Sequence, residues 1–319
     1  MTEEQLHITA IPQEHAGSRL DRSLAQLFPD YSRAKLQIWI SQQQVRVDGQ
    51  FKSRRYTVKG GEHIELRIQP EVINIQSQPE DIQLNIVYED DHLLVIDKIA
   101  DMVVHPGAGN HSGTILNALL FHSKQQAALP RAGIVHRLDK DTSGLMVVAK
   151  SLEAHSSLVE SFQAHSIDRR YYAIVRGQLI SGGMIDEPIG RHPTDRIKMA
   201  VNIKGKEART HYKIVEKFQR HTWVEAKLET GRTHQIRVHF AHKNMPLVGD
   251  SVYAPRIQRV ANVPNELNEA ICAFSRQALH SYHLAFEHPV SGEALQWTSD
   301  LPADMQQLLK ALRTHSALQ

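Results

Sequence analysis

The sequence of 319 residues is poor in several features that define whole classes of proteins. It has a single cysteine, Cys272, so no disulfide can form within the chain. Its apolar runs are short, such as Leu93–Ile96, whereas roughly 20 apolar residues are needed to span a bilayer. The first five residues lack the basic start and apolar stretch of a secretory signal. We therefore expect a soluble cytoplasmic protein that does not enter a membrane.

Aromatic residues and cofactor motifs are also scarce. Aromatic residues make up only 6% of the chain, so any surface that stacks on nucleic-acid bases must be small and local. The His-Glu-x-x-His zinc string, the Walker phosphate loop, GxGxxG and GxSxG are all missing from the sequence. His234, His239 and His242 fall in one predicted helix, but a metal site would need a further ligand and supporting contacts. We predict no metal site.

The net charge is only +2, but it is unevenly distributed. Residues 17–70 contain ten Lys or Arg against five Asp or Glu, which leaves the rest of the chain slightly acidic. A small basic module on a near-neutral body is typical of a polyanion-binding appendage. A basic but merely solvated surface would have the same composition, and charge alone does not separate the two interpretations.

Periodicity divides the chain into a short N-terminal segment (1–16), a small module (17–70), a linker (71–80) and a large body (81–319). In the module, apolar residues recur at helical spacing from Leu20 to Phe28 and again at Leu36, Trp39 and Ile40. Two alternating strands follow, the first ending in the Asp48-Gly49 turn signal. The body mixes hairpins with a few helices, which predicts an α+β domain on a mostly antiparallel mixed sheet.

The periodicity places the elements of the body as follows. Strands are predicted at residues 85–88, 93–96, 145–149, 171–175, 209–218, 222–228, 280–286 and 295–297, and helices at residues 114–120, 151–165, 231–242 and 302–313.

Four polar segments of the body could carry chemistry. The loop at residues 135–145 contains His-Arg-Leu-Asp at positions 136–139, between two apolar strands. Polar clusters bounded by buried strands often lie at the mouth of a cleft, although a loop of this kind is by itself more often a solvated hairpin. The other segments are residues 169–177, residues 228–239 with Thr-Gly-Arg-Thr-His-Gln-Ile-Arg, and Val-His-Pro within residues 103–107.

Together these four segments resemble the RluA/RluD-type pseudouridine synthases, most closely the RluD branch. The resemblance covers nearly the whole chain and implies a pseudouridine synthase catalytic domain at residues 81–319. The module at residues 17–70 resembles the RNA-binding fold of ribosomal protein S-four, in which a helix pair lies against the RNA backbone. The chain departs from the family at residues 98–101, where Lys-Ile-Ala-Asp replaces the common Lys-Pro-x-Gly.

The resemblance also implies roles for particular residues. Asp139 would be the catalytic nucleophile, Tyr171 a second catalytic residue and Arg237 the partner of the aspartate. In the substrate site, His136, Arg137 and Ile236 would contact RNA, with Ile236 packed on the target base and Arg137 filling the gap that the flipped base leaves. The residues expected to contact RNA phosphates in the N-terminal module are Arg19, Arg22, Arg33, Lys35 and Arg46.

The implied chemistry suits these residue types. Pseudouridine formation breaks the bond from ribose C1′ to uracil N1 and remakes it to C5, so the substrate supplies every atom and no cofactor is expected. Glycosidases use two carboxylates, one of which protonates the leaving group. Uracil leaves more readily than an alcohol does, because its negative charge spreads over two carbonyl oxygens. One carboxylate can therefore suffice. An adjacent guanidinium such as Arg237 favours the ionised form of Asp139.

The expected substrate is large-subunit ribosomal RNA, free or in an assembling large subunit, because the RluD branch acts on the stem-loop that bridges the two subunits. Nothing in the sequence indicates an obligate protein partner. Two other hypotheses stay open at this point. One is a ribosome-assembly factor that only binds RNA, which the intact set of Asp139, Tyr171 and Arg237 disfavours. The other is a small-molecule glycosidase or nucleosidase, which the basic N-terminal module disfavours.

Overall fold

A computed structural model describes residues 5–28, 33–68, 78–107, 109–195, 198–254, 259–260 and 263–316. The chain divides into two compact units with a boundary between residues 76 and 77. Most of the predicted linker at residues 71–80 lies outside the described residues. In the ranges given above, no helix combines the length and the apolar character that crossing a membrane requires.

The N-terminal unit packs two helices on a four-stranded antiparallel sheet of strand order β1-β4-β2-β3. Its helices and strands are β1 (Gln5–Ala10), α1 (Leu20–Leu27), α2 (Arg33–Ser41), β2 (Val45–Val47), β3 (Gln50–Phe51) and β4 (His63–Ile68). Leu24, Trp39 and Ile64 are at most 1% exposed in its core. Asp48 and Gly49 both have positive φ, which a tight hairpin turn requires. The helix pair and the Asp-Gly hairpin are confirmed.

Strand β1 corrects the prediction that residues 1–16 form a separate segment before the module. Its residues pair with β4 from Gln5–Ile68 to Ala10–His63. Ile11, which follows directly, is 1% exposed within the core of this unit. The pairing joins residues more than 50 positions apart, so no local pattern in the sequence shows it.

The C-terminal unit is built on a nine-stranded sheet, with a separate two-stranded sheet of β10 and β11. Its strands are β5 (Ile86–Glu89), β6 (Leu93–Lys98), β7 (Ser143–Ala149), β8 (Asp168–Arg176), β9 (Gly183–Asp186), β10 (Ile189–Arg191), β11 (Met199–Val201), β12 (Arg209–Lys217), β13 (His221–Leu228), β14 (Leu279–Glu287) and β15 (Ala294–Thr298). Its helices are α3 (Ile115–His122), α4 (Leu152–Gln163), α5 (Gln235–His242), α6 (Asn265–Ala273) and α7 (Ala303–Ser316).

The large sheet runs β5-β6-β7-β14-β8-β13-β12-β9, with β15 paired to β14. Its strand pairs are antiparallel except β7 with β14, so the predicted α+β fold with a mostly antiparallel mixed sheet is confirmed. Successive residues of a strand point to opposite faces. Ile174 of β8 therefore packs with α6 and α7 on one face, while Arg169 and Tyr171 point to the other.

Local capping explains two of the confirmed helices. Thr114 and Asn117 form a reciprocal capping box at the start of α3, and the Ser151 hydroxyl accepts the Ala154 N–H at the start of α4. In contrast, the helix predicted at residues 231–242 begins only at Gln235. Backbone φ at His234 is +57°, in the left-handed region, so residues 231–234 form a loop instead of a first helical turn.

Candidate active site

The loop that contains His-Arg-Leu-Asp leads into β7, and two cations that are distant in the sequence, Lys98 and Arg276, hold its backbone. Lys98, at the end of β6, is 1% exposed and donates Nζ to the carbonyl oxygen of Lys140 at 2.9 Å and to two carbonyls within residues 99–102. Arg276 donates Nη1 to the carbonyl oxygen of Asp141 at 3.0 Å. Burial lowers the pKa of Lys98 to about 8. The loop is thus tied at two consecutive peptides just after Asp139.

Arg237 of α5 bridges two carboxylates at the centre of the site. Its Nη1 donates to Oδ2 of Asp139 at 2.8 Å, while Nε and Nη2 donate to both oxygens of Asp250 at 2.7 and 3.0 Å. Asp250 is fully buried and also accepts the backbone N–H groups of Val252 and Tyr253. The Asp139 side chain is 19% exposed, so it is the member of the cluster that a ligand can reach.

The pairing keeps this cluster charged. Burial alone lowers the pKa of Arg237, but the hydrogen bonds and charges of Asp250 and Asp139 raise it above its ordinary value. Burial likewise raises the pKa of Asp250, and the hydrogen bonds from Arg237 more than offset this and hold it below its usual range. Two carboxylates and one guanidinium leave the cluster with one net negative charge, carried at the side that faces the cleft.

A histidine and a tyrosine extend the cluster. Nε2 of His234 lies 3.8 Å from Oδ1 of Asp139, and Nδ1 lies 2.8 Å from the Tyr253 hydroxyl. The Tyr253 oxygen also accepts the backbone N–H of Met199 at 2.9 Å, so its own proton can be donated to Nδ1. This network assigns the imidazole proton to Nε2, on the side of Asp139. Burial lowers the pKa of His234, which favours the neutral ring.

Tyr171 of β8 and Ile236 of α5 supply apolar surface beside the acid. They are 5% and 3% exposed, and both line the same cleft as Asp139. Burial raises the pKa of the Tyr171 phenol above its ordinary value. The phenol therefore stays protonated at neutral pH, which favours ring contact or hydrogen-bond donation over action as a base.

His136 and Arg137 have different environments although they are adjacent. Nε2 of His136 accepts the backbone N–H of Val147 at 2.9 Å, and its ring stacks on Phe162 with centroids 4.7 Å apart. Burial, with a smaller contribution from Arg169, lowers the pKa of His136 to about 3, so this ring is neutral and packs the loop onto β7. Arg137 is exposed and borders the cleft.

A cleft of about 610 Å³ unites the residues predicted for catalysis and for base recognition. Its lining includes Asp139, Tyr171, Arg237, His136, Arg137 and Ile236. Clefts of a few hundred cubic ångströms suit small ligands, and one nucleoside extruded from a stack falls in that size range.

Two of the residues predicted to contact RNA in the N-terminal unit pair with one buried aspartate. Arg19 and Arg33 both form ion pairs with Asp21, at 3.0 and 2.8 Å, and Gln37 donates to the same carboxylate. Asp21 is fully buried, whereas the two arginine side chains are about half exposed. Burial raises the pKa of Asp21, but these hydrogen bonds outweigh burial and leave it below its ordinary value.

The remaining three cations of that set differ from one another. Arg22 is exposed on α1. The Arg46 guanidinium lies 4.9 Å from the ring centre of Phe51, which is 46% exposed. The side chain of Lys35 lies outside the described part of the structure. RNA contact by these residues stays a prediction.

Comparison with known proteins identifies the family. Residues 92–242 match the family of RNA pseudouridylate synthases, and residues 18–64 match the S4 domain. Over 315 residues, 99% of this chain and 95% of the relative, the sequence is 49% identical to ribosomal large subunit pseudouridine synthase D of Xanthomonas campestris pv. campestris. The chain belongs to the RNA pseudouridylate synthase family.

Further similarities agree with this membership. A pseudouridine synthase D of Pseudomonas aeruginosa is 51% identical over 303 residues, which cover 95% of this synthase and 94% of the relative. The solved structure of human RNA pseudouridylate synthase domain containing 4 is 25% identical, with a TM-score of 0.58 over 72% of this chain and 93% of that one. The protein is therefore an RNA pseudouridine synthase with an N-terminal RNA-binding domain, as the sequence predicts, and the non-catalytic and small-molecule hypotheses are set aside.

Three charged groups at the site of this synthase were given no role by the sequence. Asp250 lies outside the four polar segments, and nothing in the local sequence links it to Arg237. Lys98 lies where the chain departs from the family pattern, and Arg169 lies in the segment that carries Tyr171, but the local sequence predicts the burial of neither. Burial distinguishes these groups from surface charges, and burial becomes visible only in the folded sheet.

Proposed function

We propose that this synthase isomerises uridines in large-subunit ribosomal RNA and that Asp139 is its nucleophile. The names of the two bacterial relatives support the substrate. The observation that carries the catalytic assignment is the Asp139 carboxylate, which lies 2.8 Å from Arg237 and opens to the cleft. The proposed target is the stem-loop that bridges the two subunits, on free RNA or on an assembling large subunit in the cytoplasm, so that modification supports ribosome assembly.

The reaction requires that one bond to the ribose be exchanged for another. The bond from C1′ to N1 breaks, the freed uracil turns, and the bond from C1′ to C5 forms. The hydrogen on C5 leaves as a proton and N1 takes up a proton, so the product is an isomer of the substrate. Asp139 is placed to attack or to stabilise the sugar, because Arg237 holds one of its oxygens and leaves the carboxylate partly exposed.

The neighbouring residues divide the remaining tasks. Tyr171 and Ile236 offer buried surface for the flipped uracil, and the protonated Tyr171 phenol acts by contact with the ring. Arg137, which is exposed at the edge of the cleft, is placed to occupy the gap left in the RNA. His136 positions the loop, and only the edge of its ring would contact RNA, because its Nε2 already accepts the backbone N–H of Val147.

The N-terminal unit would supply affinity for the RNA backbone. Arg19 and Arg33 remain about half exposed despite their ion pairs with Asp21, and Arg22 and Arg46 add two more cations. Contacts from such groups to phosphates are sensitive to salt and do not read sequence.

The first experiment measures release of tritium from ribosomal RNA labelled at uridine C5. We expect release by the wild type and none by Asp139→Asn, which keeps the size of the side chain but removes its charge. Asp141→Asn, in the same loop, should lose much less, because the hydrogen bonds of Arg237 go to Asp139 and Asp250. Arg137→Ala should be impaired less than Asp139→Ala.

The outcomes distinguish the hypotheses. Equal and complete loss in Arg137→Ala and Asp139→Ala would contradict the proposed order of roles. Release of free uracil would indicate hydrolysis of the glycosidic bond. Turnover by Asp139→Asn at the wild-type rate would overturn the nucleophile, and lack of turnover on both free RNA and assembling subunits would overturn the substrate.

A further inference from the structure

One buried cation of the cleft has no counter-ion among the residues that the structure describes. Arg169 of β8 is 6% exposed and lines the cleft, yet its Nε has no hydrogen-bond partner, and no described carboxylate forms an ion pair with it. The acid next to it in sequence is already engaged, since Asp168 pairs with Arg170 at 2.8 Å and with Lys227 at 3.3 Å. A buried charge without a partner is costly, so it indicates a group whose partner arrives with the ligand.

The surroundings of Arg169 hold the guanidinium without neutralising it. Its central carbon lies 5.1 Å from the ring centre of Phe162. A Cβ atom at Gly231 would lie only 2.8 Å from Nη1, so the missing side chain at that position leaves the guanidinium its space. The nearby His136 ring is neutral, and Arg169 itself contributes to lowering its pKa. The packing is specific, and these three neighbours, Phe162, Gly231 and His136, carry no charge.

Arg237 cannot supply a free positive charge in the place of Arg169. Its Nε and Nη2 are bound to Asp250 and its Nη1 to Asp139. The cluster of these three residues has a net negative charge, which suits a nucleophile and disfavours a second anion nearby. Any negative charge that develops elsewhere in the cleft must therefore be met by another group.

The position of Arg169 on β8 shows which part of the substrate it can reach. Arg169 and Tyr171 are two residues apart, so they share one face of the strand at a spacing of about 7 Å. The extended arginine side chain covers a similar distance. A uracil ring in contact with Tyr171 would therefore bring a carbonyl edge within reach of the guanidinium.

We infer that Arg169 binds the uracil of the target uridine and stabilises the negative charge that this ring acquires when its bond to the ribose breaks. This inference rests on the proposed function. As C1′–N1 breaks, the bonding electron pair moves to N1 and spreads onto O2 and O4, which accept hydrogen bonds from the guanidinium. The charge is discharged when C5 bonds to C1′, the C5 proton leaves and N1 is protonated.

A phosphate of the RNA is the other anion that could pair with Arg169. The base is the part of an extruded nucleotide that enters a pocket, whereas the phosphodiester chain stays at its rim. Arg169 is 6% exposed, while Arg137 on the edge of the cleft is open to solvent. Burial therefore favours the uracil, and the two partners predict different effects on binding and rate.

The test compares Arg169→Gln and Arg169→Lys with the matched control Arg170→Gln, whose side chain points to the other face of β8. The full-length variants are measured for single-turnover conversion at saturating RNA, for the dissociation constant over a range of salt concentrations, and for melting temperature. We expect the Arg169→Gln rate to fall about 100-fold or more, with a dissociation constant within about twofold of the wild type. Arg169→Lys should recover part of the rate, and Arg170→Gln should stay within about threefold.

The melting temperature separates the proposed role from a packing role. A residue needed for packing would lower it when replaced, whereas the proposed role predicts no decrease. Removal of an unpaired buried charge should leave the melting temperature of Arg169→Gln equal to or above that of the wild type. A lower melting temperature in both variants, with normal rates for the folded fraction, would overturn the inference. So would weaker binding with a salt slope reduced by about 0.7 and an unchanged saturated rate, which is the signature of a phosphate contact. Asp139→Asn, assayed in parallel, separates the proposals: its full activity would overturn the nucleophile and leave the Arg169 result standing.

Discussion

Both units of this synthase contain a cluster built on a fully buried aspartate, and the two clusters have opposite charge. In the N-terminal unit, Asp21 is shared by Arg19 and Arg33, which leaves one net positive charge on side chains that are about half exposed. In the C-terminal unit, Asp250 holds Arg237, whose remaining Nη1 binds Asp139. That arrangement leaves one net negative charge, and its accessible member is a carboxylate.

The difference shows that function follows from which member of an ion-pair cluster reaches solvent. A buried aspartate that fixes two outward arginines presents cations to a polyanion and leaves them free to exchange partners. A buried aspartate that fixes one inward arginine uses that arginine to orient a second acid. Under the proposed function, the same residue types would serve RNA attraction in one unit and covalent chemistry in the other.

The largest effect is expected when the cluster of Asp139, Arg237 and Asp250 loses its central cation. Arg237→Gln should lower the single-turnover rate by about 10³-fold, because Asp139 loses its orienting partner. It should also lower the free energy of unfolding by about 3–5 kcal/mol, because Asp250 stays buried and charged. Urea denaturation and tritium release measure the two effects. The double variant Arg237→Gln/Asp250→Asn should regain stability without regaining activity, and recovery of both would contradict the comparison.

A smaller loss of stability is expected at the cluster of Asp21, Arg19 and Arg33. Asp21→Asn should destabilise the N-terminal unit by about 1–3 kcal/mol, because the two arginines that lose their carboxylate are half exposed and can be hydrated instead. Hydrogen exchange of the amides in α1 and α2 reports this loss. Exchange in α5 should not change, and protection lost equally in both units would show that the clusters are not independent.

We expect acid to destabilise the C-terminal unit through three buried histidines that are neutral in the folded state. Burial lowers the pKa of His136 to about 3 and those of His105 and His221 to about 4. These rings favour folding fully above pH about 6.5, and this stability is lost as the pH falls toward 4 and 3, because the unfolded chain binds more protons.

His221 is the residue with which to test this acid sensitivity. It is 1% exposed, and neither ring nitrogen has a hydrogen-bond partner, so His221→Leu should break no hydrogen bond. Near pH 5 the free energy of unfolding should rise with pH less steeply in the variant than in the wild type, by about 1 kcal/mol per pH unit. Denaturation between pH 4 and 7 measures the slopes, and parallel curves for variant and wild type would contradict the assignment.

The smallest effect is expected from a single exposed cation of the N-terminal unit. Arg22→Gln should weaken RNA binding by about 0.2–1 kcal/mol and reduce the salt slope by about one contact. The rate at saturating RNA should not change. Lys310→Gln, an exposed cation on α7, is the matched control and should leave affinity unaltered. A reduced saturated rate in Arg22→Gln would place this arginine in the chemistry rather than in RNA attraction.

Several parts of the molecule were predictable because their information is local. Thr114 and Ser151 mark helix starts through their own capping bonds, and the Asp48-Gly49 pair fixes a hairpin through positive φ. The loop at residues 136–139 was recognisable as a string. In contrast, the start of α5 was misplaced, because the left-handed backbone at His234 interrupts a pattern that otherwise looks helical.

Other parts depend on contacts between residues far apart in the chain. Strand β1 is defined by its pairing with β4, and Lys98 acquires its role only when the carbonyl of Lys140 is brought to its ammonium group. Arg169 and Arg170 are adjacent in the sequence, but they occupy opposite faces of β8, and only Arg170 is ion-paired with Asp168. The local sequence predicts the same environment for both arginines, whereas the folded sheet buries Arg169 and leaves Arg170 partly exposed.

By itself, the sequence determined the helix caps, the turn chemistry, the basic character of the N-terminal unit and the four strings that mark a pseudouridine synthase. All of these depend on residues within a few positions of each other. The tertiary structure decided which charges are shared, which are left over and which reach the cleft. Those properties depend on burial and on distances of a few ångströms between Asp139, Arg237 and Asp250, and only the folded sheet sets them.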